Sequence, residues 1–518
     1  MLSEKNKHIL LLILILVLGS ILRLQNLNKD YQRDESRFLE AVINFNNKGT
    51  LTYNEKSIGE NLITVFDHHP PLYIIYLSNI VKFFGTNIVI VRFFTVIFSI
   101  FSIVFVYLIG SSYGKKEIGL LAAFLISINR IHVEYSQQID IDGSFLTFLI
   151  LASSYFFIRW LDKKEKKYYF LTAIFTTLSL LTKITSIAWF VSLIVFLIYK
   201  KKQKEGFNFA ILVFALTFTS LLIFGIYHNI NYFYSVINHI FKNVSEKTQT
   251  NILWKIYEFF GIITWEFTPP ILLIFALSSL YFVKKGIDHN FIFIFLYGLP
   301  HIVILGITRY FVPIMPFIII ISSVYLNKKI NFKRKESEIF VLCLLLFSIL
   351  YFLKIRTDVV FLKDIRNNIV FISIPYMLTL LSFVLLKFKK DLFFVYILAL
   401  IISLNIYFSI EAVNPIFTPR FYKSIEISSD LIKSIENDTV IITSHDISFK
   451  SGIKFYESDI YLRYSNFTEF YSRNKNFYVI DYRTNSFLED KTREFLDNKC
   501  YRYSYTDKNV EILIIYKC

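Results

Sequence analysis

Residues 10–24 of the chain read LLLILILVLGSILRL, and a charged tetrad, RDES at 33–36, follows this apolar run after one short loop. An apolar run of this length predicts a membrane helix. It resembles the core of a signal peptide, but no small-residue cleavage pattern follows it and many further apolar runs do. We therefore predict a retained first helix, with acidic residues at the membrane boundary just beyond it.

The composition describes a membrane protein. Of the 518 residues, 54% are hydrophobic and 19% are charged, and the mean hydropathy is +0.50. In soluble domains roughly a quarter of all residues are charged, so this chain is too apolar for that class. The net charge of +16 comes from short lysine clusters between apolar runs. Membrane orientation explains such clusters, and we expect no nucleic-acid partner.

Apolar stretches long enough to cross a bilayer recur along the first 410 residues. They predict an α-helical polytopic membrane protein with about 13 transmembrane helices. The stretches lie near 9–25, 87–110, 118–134, 143–160, 168–182, 184–199, 207–228, 257–282, 290–308, 311–326, 338–353, 368–386 and 392–410.

The lysine clusters also predict the orientation of the chain. They fall on every second connection, at 115–116, 163–167, 200–202, 284–285, 328–335 and 389–390. Because cytoplasmic loops are rich in Lys and Arg, the N-terminus is predicted to be cytoplasmic. Asp34, residues 135–142, Lys183, Arg309 and everything after Glu411 then share the outer face.

The last hundred residues have a different pattern. Apolar runs shorten to strand length at 439–443, 477–480 and 510–516, and helix-like segments alternate with them at 428–436 and 488–498. We predict a membrane domain at 1–410, with its first external loop at about 26–86, and a small extracytoplasmic α/β domain at 411–518. A cap without chemistry is an equal interpretation of that domain.

Asp34 and Glu35 are candidate catalytic residues. On a helix, adjacent side chains diverge by about 100°, so only one of them can face a given substrate atom. The other would serve a second ligand. The alternative is a solvated amphipathic helix on the membrane surface.

A second external segment, DHHPPLY at 67–73, places ionisable side chains beside two prolines. Histidines bind phosphate or metal ions and transfer protons near neutral pH. With the nearby acids, His68 and His69 are candidates for a divalent-ion site, while ordinary surface histidines are the alternative.

Three further residues stand out because their charges lie within or beside apolar runs. Asp142 follows Asp140 in an outward turn, where an N-cap is the plain interpretation. Lys183 interrupts the apolar stretch 179–195 and divides it into two helices. Arg309 precedes two prolines in a similar position. Together the two cations predict a clamp for an anion such as a lipid-linked phosphate, and snorkelling to lipid headgroups is the alternative.

The ordered set of motifs resembles the C-type glycosyltransferase superfamily, in the branch of the protein O-mannosyltransferases and the lipid A aminoarabinose transferase. The resemblance covers most of the membrane region. It is carried by Arg33-Asp34-Glu35, Pro70-Pro71-Leu72-Tyr73, Val91-Arg92-Phe93-Phe94, Gly119 to Asn129, Tyr135-Ser136 with Asp142, Leu181-Thr182-Lys183 and Arg309-Tyr310-Phe311-Val312-Pro313.

This resemblance implies an integral glycosyltransferase of the cell membrane. It would move a hexosyl or pentosyl group from a polyprenyl-phosphate donor to a lipid, glycan or protein hydroxyl on the outer face, with inversion at the anomeric carbon. Asp34 would be the general base. Glu35 and Asp142 would bind acceptor, sugar or metal.

The resemblance also implies which residues bind the donor phosphate. They are Lys183, Arg309, Tyr310 and His69. His69 stands where some relatives carry a lysine, and His68 stands where a relative has a metal-binding carboxylate. Asp67 and His68 are therefore the candidate ligands of a divalent metal ion. The Trp-Trp-Asp motif of oligosaccharyltransferase catalytic subunits is absent from the sequence, which disfavours en bloc glycan transfer.

Two hypotheses from other classes remain open at this point. A polytopic transporter or lipid flippase would move its substrate without bond cleavage, and it is expected to show inverted repeats and polar residues near the bilayer midplane. A noncatalytic scaffold would use the outer domain to recruit other envelope enzymes. The ionisable residues of unusual placement in this chain are predicted to lie at one membrane edge, which favours the transferase.

Overall fold

The computed structural model describes residues 4–25, 27–29, 31, 34–53, 64–65, 69–228, 230–232, 234–235, 269–286, 288–300, 308–330, 390–413, 440–443, 456–457, 477–482, 496, 501–507 and 510–517. The chain divides into two compact units. The first comprises Met1–Gln25, His69–Tyr73 and Arg92–Val413, and the second comprises Asn26–His68, Ile74–Val91 and Asn414–Cys518.

Helices dominate the described part of the chain. In chain order they are α1 (Glu4–Leu24), α2 (Glu35–Lys48), α3 (Leu72–Phe84), α4 (Ile88–Ser111), α5 (Lys116–Ser127), α6 (Arg130–Ser136), α7 (Ser144–Lys163), α8 (Lys166–Thr182), α9 (Ile187–Tyr199), α10 (Gln203–His228), α11 (Pro269–Lys285), α12 (His289–Pro300), α13 (Met315–Lys329) and α14 (Lys390–Val413). Short 3-10 helices occupy Ile184–Ser186 and Thr308–Phe311.

Several of these helices suit a membrane. Within the described ranges, Asn6–Leu24, Ile88–Ser111, Ser144–Lys163 and Gln203–His228 are long and apolar enough to cross one, and α5 with α6 forms a fifth candidate bent by 60°. These helices agree with the predicted polytopic helical class. The number of 13 crossings stays a prediction, since the predicted spans at 338–353 and 368–386 lie outside the described residues.

The first unit has an aromatic and aliphatic core. Trp189 of α9 is fully buried, with its ring stacked on Phe317 of α13 and in edge contact with Phe293 of α12. Large apolar side chains remain exposed on α1 and α10, for example Leu14 and Phe214. Exposed apolar helix faces of this extent are expected where lipid replaces water as the surrounding medium.

The second unit contains α2, which begins at Glu35 directly after Asp34. α2 is amphipathic and is capped by Gly49, whose left-handed backbone (φ +70°) lets its N–H donate to the Phe45 carbonyl. Asn44 of α2 donates to the carbonyl of Thr52 at 2.8 Å. Thr52 lies in β1 (Thr52–Tyr53), which pairs antiparallel with β2 (Thr64–Val65).

The C-terminal strands, also in the second unit, form a five-stranded mixed sheet. The strands are β3 (Val440–Thr443), β4 (Tyr456–Glu457), β5 (Phe477–Tyr482), β6 (Tyr501–Asp507) and β7 (Val510–Lys517). Their order is β4-β3-β5-β7-β6, with β3 parallel to β4 and β5, and β7 antiparallel to β5 and β6. β3, β5 and β7 coincide with the three predicted strands. The predicted helices at 428–436 and 488–498 lie outside the described residues, apart from Leu496, and the domain boundaries stay a prediction.

Candidate active site

The turn that joins α6 to α7 contains the acidic residues of the site. The backbone N–H of Asp142 donates to Oδ1 of Asp140 at 2.8 Å, and the N–H of Gly143 donates to the carbonyl of Asp140 at 3.1 Å. Gly143 takes the N-cap position and α7 begins at Ser144. The N-cap interpretation of Asp142 is therefore wrong, and its carboxylate is available for another partner.

Lys183 supplies that partner from the break between α8 and the 3-10 helix Ile184–Ser186. Its backbone is extended (φ −150°, ψ 133°), so the apolar stretch is divided there, as the sequence predicts. The Lys183 ammonium donates a hydrogen bond to Oδ2 of Asp142. The Lys183 side chain is 6% exposed and that of Asp142 is fully buried. Burial of both charges makes each dependent on the other.

A second cation reaches the same carboxylate from the 3-10 helix Thr308–Phe311. Arg309 Nη1 lies 3.8 Å from Oδ2 of Asp140, and Arg309 Nε lies 3.8 Å from Oδ2 of Asp142. The Arg309 side chain is 21% exposed. Lys183 and Arg309 thus converge, and each pairs with a buried acid in place of the alternative in which it snorkels to lipid headgroups.

An aromatic ring completes the arrangement. The Lys183 ammonium lies 4.4 Å from the centre of the Tyr310 ring, and the Arg309 guanidinium carbon lies 5.5 Å from it. A ring face attracts cations, so Tyr310 helps to hold both of them. We call Asp140, Asp142, Lys183, Arg309 and Tyr310 the ionic cluster.

Asp142 of the ionic cluster and its chain neighbour Gln138 carry buried acceptor atoms. Within the described ranges, Oδ1 of Asp142 and Oε1 of Gln138 are buried without a hydrogen-bond partner. Burial raises the pKa of the Asp142 carboxyl, and the positive charges of Lys183 and Arg309 act against that shift. A buried acceptor is costly unless it meets a donor. Hydroxyl groups of a bound substrate are suitable donors.

The remaining predicted site residues belong to the segment 34–69. Asp34 immediately precedes α2 and pairs with Arg37 at 3.0 Å, and Glu35 is 1% exposed. Both belong to the second unit, so the prediction that Asp34 acts in the same reaction as Lys183 and Arg309 stays a prediction. His69 belongs to the first unit and is half-buried.

The metal hypothesis also stays a prediction. Asp67 and His68 lie outside the described residues. In the part of the chain that the structure describes, no group of three His, Cys, Asp or Glu side chains could hold a metal ion.

Two residues at the site, Tyr297 and Asp140, are not assigned to it by the sequence patterns. Tyr297 of α12 is buried, and its hydroxyl lies 3.4 Å from that of Thr185, two positions after Lys183. Tyr297 stands in an unbroken apolar run, where a tyrosine is indistinguishable from an ordinary core residue. Asp140 is visible in the sequence as a neighbour of Asp142, but its ion pair with Arg309 appears only in the structure.

Comparison with known proteins places this geometry in context. Residues 68–228, which include Asp142 and Lys183, match the family described as dolichyl-phosphate-mannose-protein mannosyltransferase. No curated protein sequence matches the chain.

Two solved structures illustrate the fold. ArnT from Cupriavidus metallidurans bound to undecaprenyl phosphate aligns at a TM-score of 0.61 with 10% identity, over 99% of this chain and 98% of that one. The oligosaccharyltransferase AglB from Archaeoglobus fulgidus, in complex with an inhibitory peptide and a dolichol-phosphate, aligns at 0.54 with 13% identity, over 99% and 74%. At these identities the likeness shows a shared fold. Together with the family match, it confirms that the chain resembles the C-type glycosyltransferase superfamily, with a mannosyltransferase-like segment at 68–228.

Proposed function

We propose that this protein is an integral-membrane glycosyltransferase. It moves a sugar from a polyprenyl-phosphate donor to a hydroxyl of a lipid, glycan or protein acceptor, by inverting displacement on the outer face of the cell membrane. The observation that carries the proposal is the convergence of Lys183 and Arg309 on buried Asp142. That site lies within a fold shared with a protein bound to undecaprenyl phosphate.

The cations suit a phosphate leaving group. An ammonium has three donors, and the Lys183 ammonium gives one of them to Asp142. Arg309 lies at ion-pair distance, 3.8 Å, from Asp140 and from Asp142. A phosphate oxygen entering beside Tyr310 would gain charge-assisted contacts to both cations. Those contacts strengthen as negative charge grows on the leaving phosphate. His69 is a further proposed contact of the phosphate.

The acids suit the acceptor and the sugar. The acceptor oxygen would form its bond to the anomeric carbon on the face opposite the phosphate, as the bond from that carbon to the phosphate oxygen breaks. The electron pair of the broken bond stays on the polyprenyl phosphate. Asp34 would take the acceptor proton, while Glu35 and Asp142 would hold hydroxyl groups of the substrates.

The experiment uses the purified protein in lipid nanodiscs with polyprenyl-phosphate mannose labelled in the sugar, and with the aminoarabinose donor in parallel. We expect release of free polyprenyl phosphate, together with transfer of label to a hydroxyl-bearing acceptor. Intact donor after prolonged incubation with glycan, lipid and peptide acceptors would contradict the proposal.

The transporter hypothesis predicts a different result. In sealed proteoliposomes, a flippase would move the labelled donor between leaflets and leave its sugar–phosphate bond intact. Cleavage without net translocation supports the transferase, and translocation without cleavage supports the flippase.

A further inference from the structure

Arg23, at the end of α1, is a charged side chain of the first unit that the proposed chemistry leaves unused. It is fully buried. Its guanidinium makes five hydrogen bonds, to Ser99 Oγ (2.7 Å), the carbonyls of Gly19 (2.9 Å), Ser127 (2.7 Å) and Ile126 (3.0 Å), and His132 Nδ1 (2.8 Å). A guanidinium has five N–H groups, so all of them are satisfied.

These partners place the charge at a specific structural break. Ile126 and Ser127 end α5, and their carbonyls belong to the negative end of that helix. α6 then departs at 60° and is capped by Asn129, whose side chain accepts from the His132 N–H. Arg23 therefore hydrogen-bonds the last carbonyls of α5 and the side chain of His132 in α6.

A reciprocal contact ties α6 back to α1. Gln137, directly after α6, donates from Nε2 to the carbonyls of Leu22 (3.1 Å), Arg23 (3.3 Å) and Gln25 (2.9 Å). Each helix end is thus capped by a buried side chain from the other segment.

The absence of a side chain at Gly19 lets α1 lie close to Ile103 and to the end of α5. A Cβ there would lie 2.8 Å from Ile103 Cδ1, and 3.3 Å from both Arg23 Nη1 and Ser127 Cβ. A larger residue would therefore press on Ile103 of α4 and on Ser127 at the end of α5. The contacts of Arg23 and Gln137 depend on that short distance.

The segment held in this way leads directly into the acidic turn. Gln137 and Asp142 are joined by four residues, and the Ser136 carbonyl accepts from Thr95 of α4 at 2.8 Å. We propose that Arg23 is a positioning residue. It fixes the bend between α5 and α6 and so holds Asp142 where Lys183 and Arg309 meet it. Its effect on catalysis rests on the proposed transferase function, whereas its effect on the turn does not.

The test substitutes Arg23→Lys, which keeps the charge and removes the five-donor fork. We expect kcat per folded molecule to fall by about 100-fold, because small displacements of reacting groups cost that much. We expect the donor KM to change by less than roughly threefold, since Lys183 and Arg309, the proposed phosphate contacts, lie on other elements than the displaced turn. A merely structural role would lower the amount of folded protein and leave kcat per folded molecule intact.

Amide hydrogen exchange supplies a readout that needs no sugar transfer. In Arg23→Lys, amides of residues 128–143 should exchange roughly tenfold faster, while those of α8 stay unchanged. The control is Arg159→Lys on α7, whose guanidinium lies 5.8 Å from the Tyr168 ring. It should alter neither readout. If Arg23→Lys does not fold, Gln137→Met removes the reciprocal contact and serves for both measurements.

The outcomes are distinct. Unchanged exchange at 128–143 would overturn the proposal, and so would faster exchange with normal kcat. If the wild-type protein transfers no sugar, the proposed function fails, and the exchange measurement alone decides whether Arg23 holds the turn.

Discussion

The Lys183 ammonium donates a hydrogen bond to Oδ2 of Asp142, and both side chains are buried in the first unit. Asp142 closes the turn before α7, and Lys183 occupies the break after α8. The pair therefore joins two interruptions of regular helix. Backbone that departs from helix at membrane depth is tolerated where it is buried in protein or lines a cavity, which is where substrates bind in membrane proteins.

The first prediction concerns the stability of this pair. Asp142→Asn removes the charge that compensates Lys183 and leaves a buried cation, so we expect a loss of about 3 kcal/mol of unfolding free energy. Thermal unfolding in detergent measures it. The control is Asp162→Asn at the exposed end of α7, which should unfold like the wild type. Equal unfolding temperatures for Asp142→Asn and the wild type would show that the pair does not stabilise the fold.

The second prediction concerns the donor phosphate. Lys183→Gln should weaken binding of polyprenyl phosphate by about tenfold or more, because a charge-assisted hydrogen bond is lost. Competition with labelled lipid phosphate on nanodiscs measures the affinity. Lys328 offers a matched control, since its ammonium lies 4.5 Å from the Tyr281 ring in a similar cation–aromatic contact. Lys328→Gln should bind normally, and equal losses in both variants would refute a specific phosphate contact.

The third prediction concerns pH and the start of α12. Asp288 accepts from the Tyr113 hydroxyl at 2.8 Å and pairs with His289 at 3.1 Å. Burial acts to raise the pKa of Asp288, but His289 and the hydrogen bonds from Asn290 and Tyr113 outweigh it and hold the pKa below its ordinary value of 3.8. A depressed carboxyl pKa stabilises the fold above the ordinary value.

That contribution is lost as the pH falls through the lowered pKa. Asp288→Asn should therefore unfold at a lower temperature than the wild type at pH 7, and the difference should shrink below about pH 4. Unfolding curves across this pH range test the prediction. A constant difference at all pH values would mean that Asp288 acts through packing.

The fourth prediction concerns orientation. With Cys343, Cys500 and Cys518 replaced by serine, Lys48→Cys on α2 should react with a membrane-impermeant thiol reagent in intact cells. Lys163→Cys at the end of α7 should react only after permeabilisation, because Lys-rich connections face the cytoplasm. The reverse labelling pattern would invert the predicted topology.

The helix break at Lys183 and three of the C-terminal strands could be predicted from the sequence, because each differs sharply in polarity from the residues around it. A lysine inside the apolar stretch 179–195 predicts a break, and the structure has one at Lys183. The strands β3, β5 and β7 were visible for the same reason, as short apolar runs in a polar region.

The partner choices could not be predicted in this way. The sequence around Asp142 is equally compatible with an N-cap and with a site residue, since local sequence does not show which distant cation a carboxylate will meet. Arg23 carried a usable signal, because a charge in the last turn of an apolar helix needs partners. Its acceptors, the carbonyls of Ile126 and Ser127, are backbone groups whose availability appears only once the bend between α5 and α6 is known.

The most direct test of the account is single-turnover cleavage of labelled polyprenyl-phosphate sugar by the wild type and by Asp34→Asn, with Asp162→Asn as the control. A missing general base should slow the sugar–phosphate cleavage step by about 100-fold or more, with donor binding preserved. The control should cleave at the wild-type rate. Wild-type cleavage by Asp34→Asn would contradict the assignment of Asp34 as the base that drives transfer.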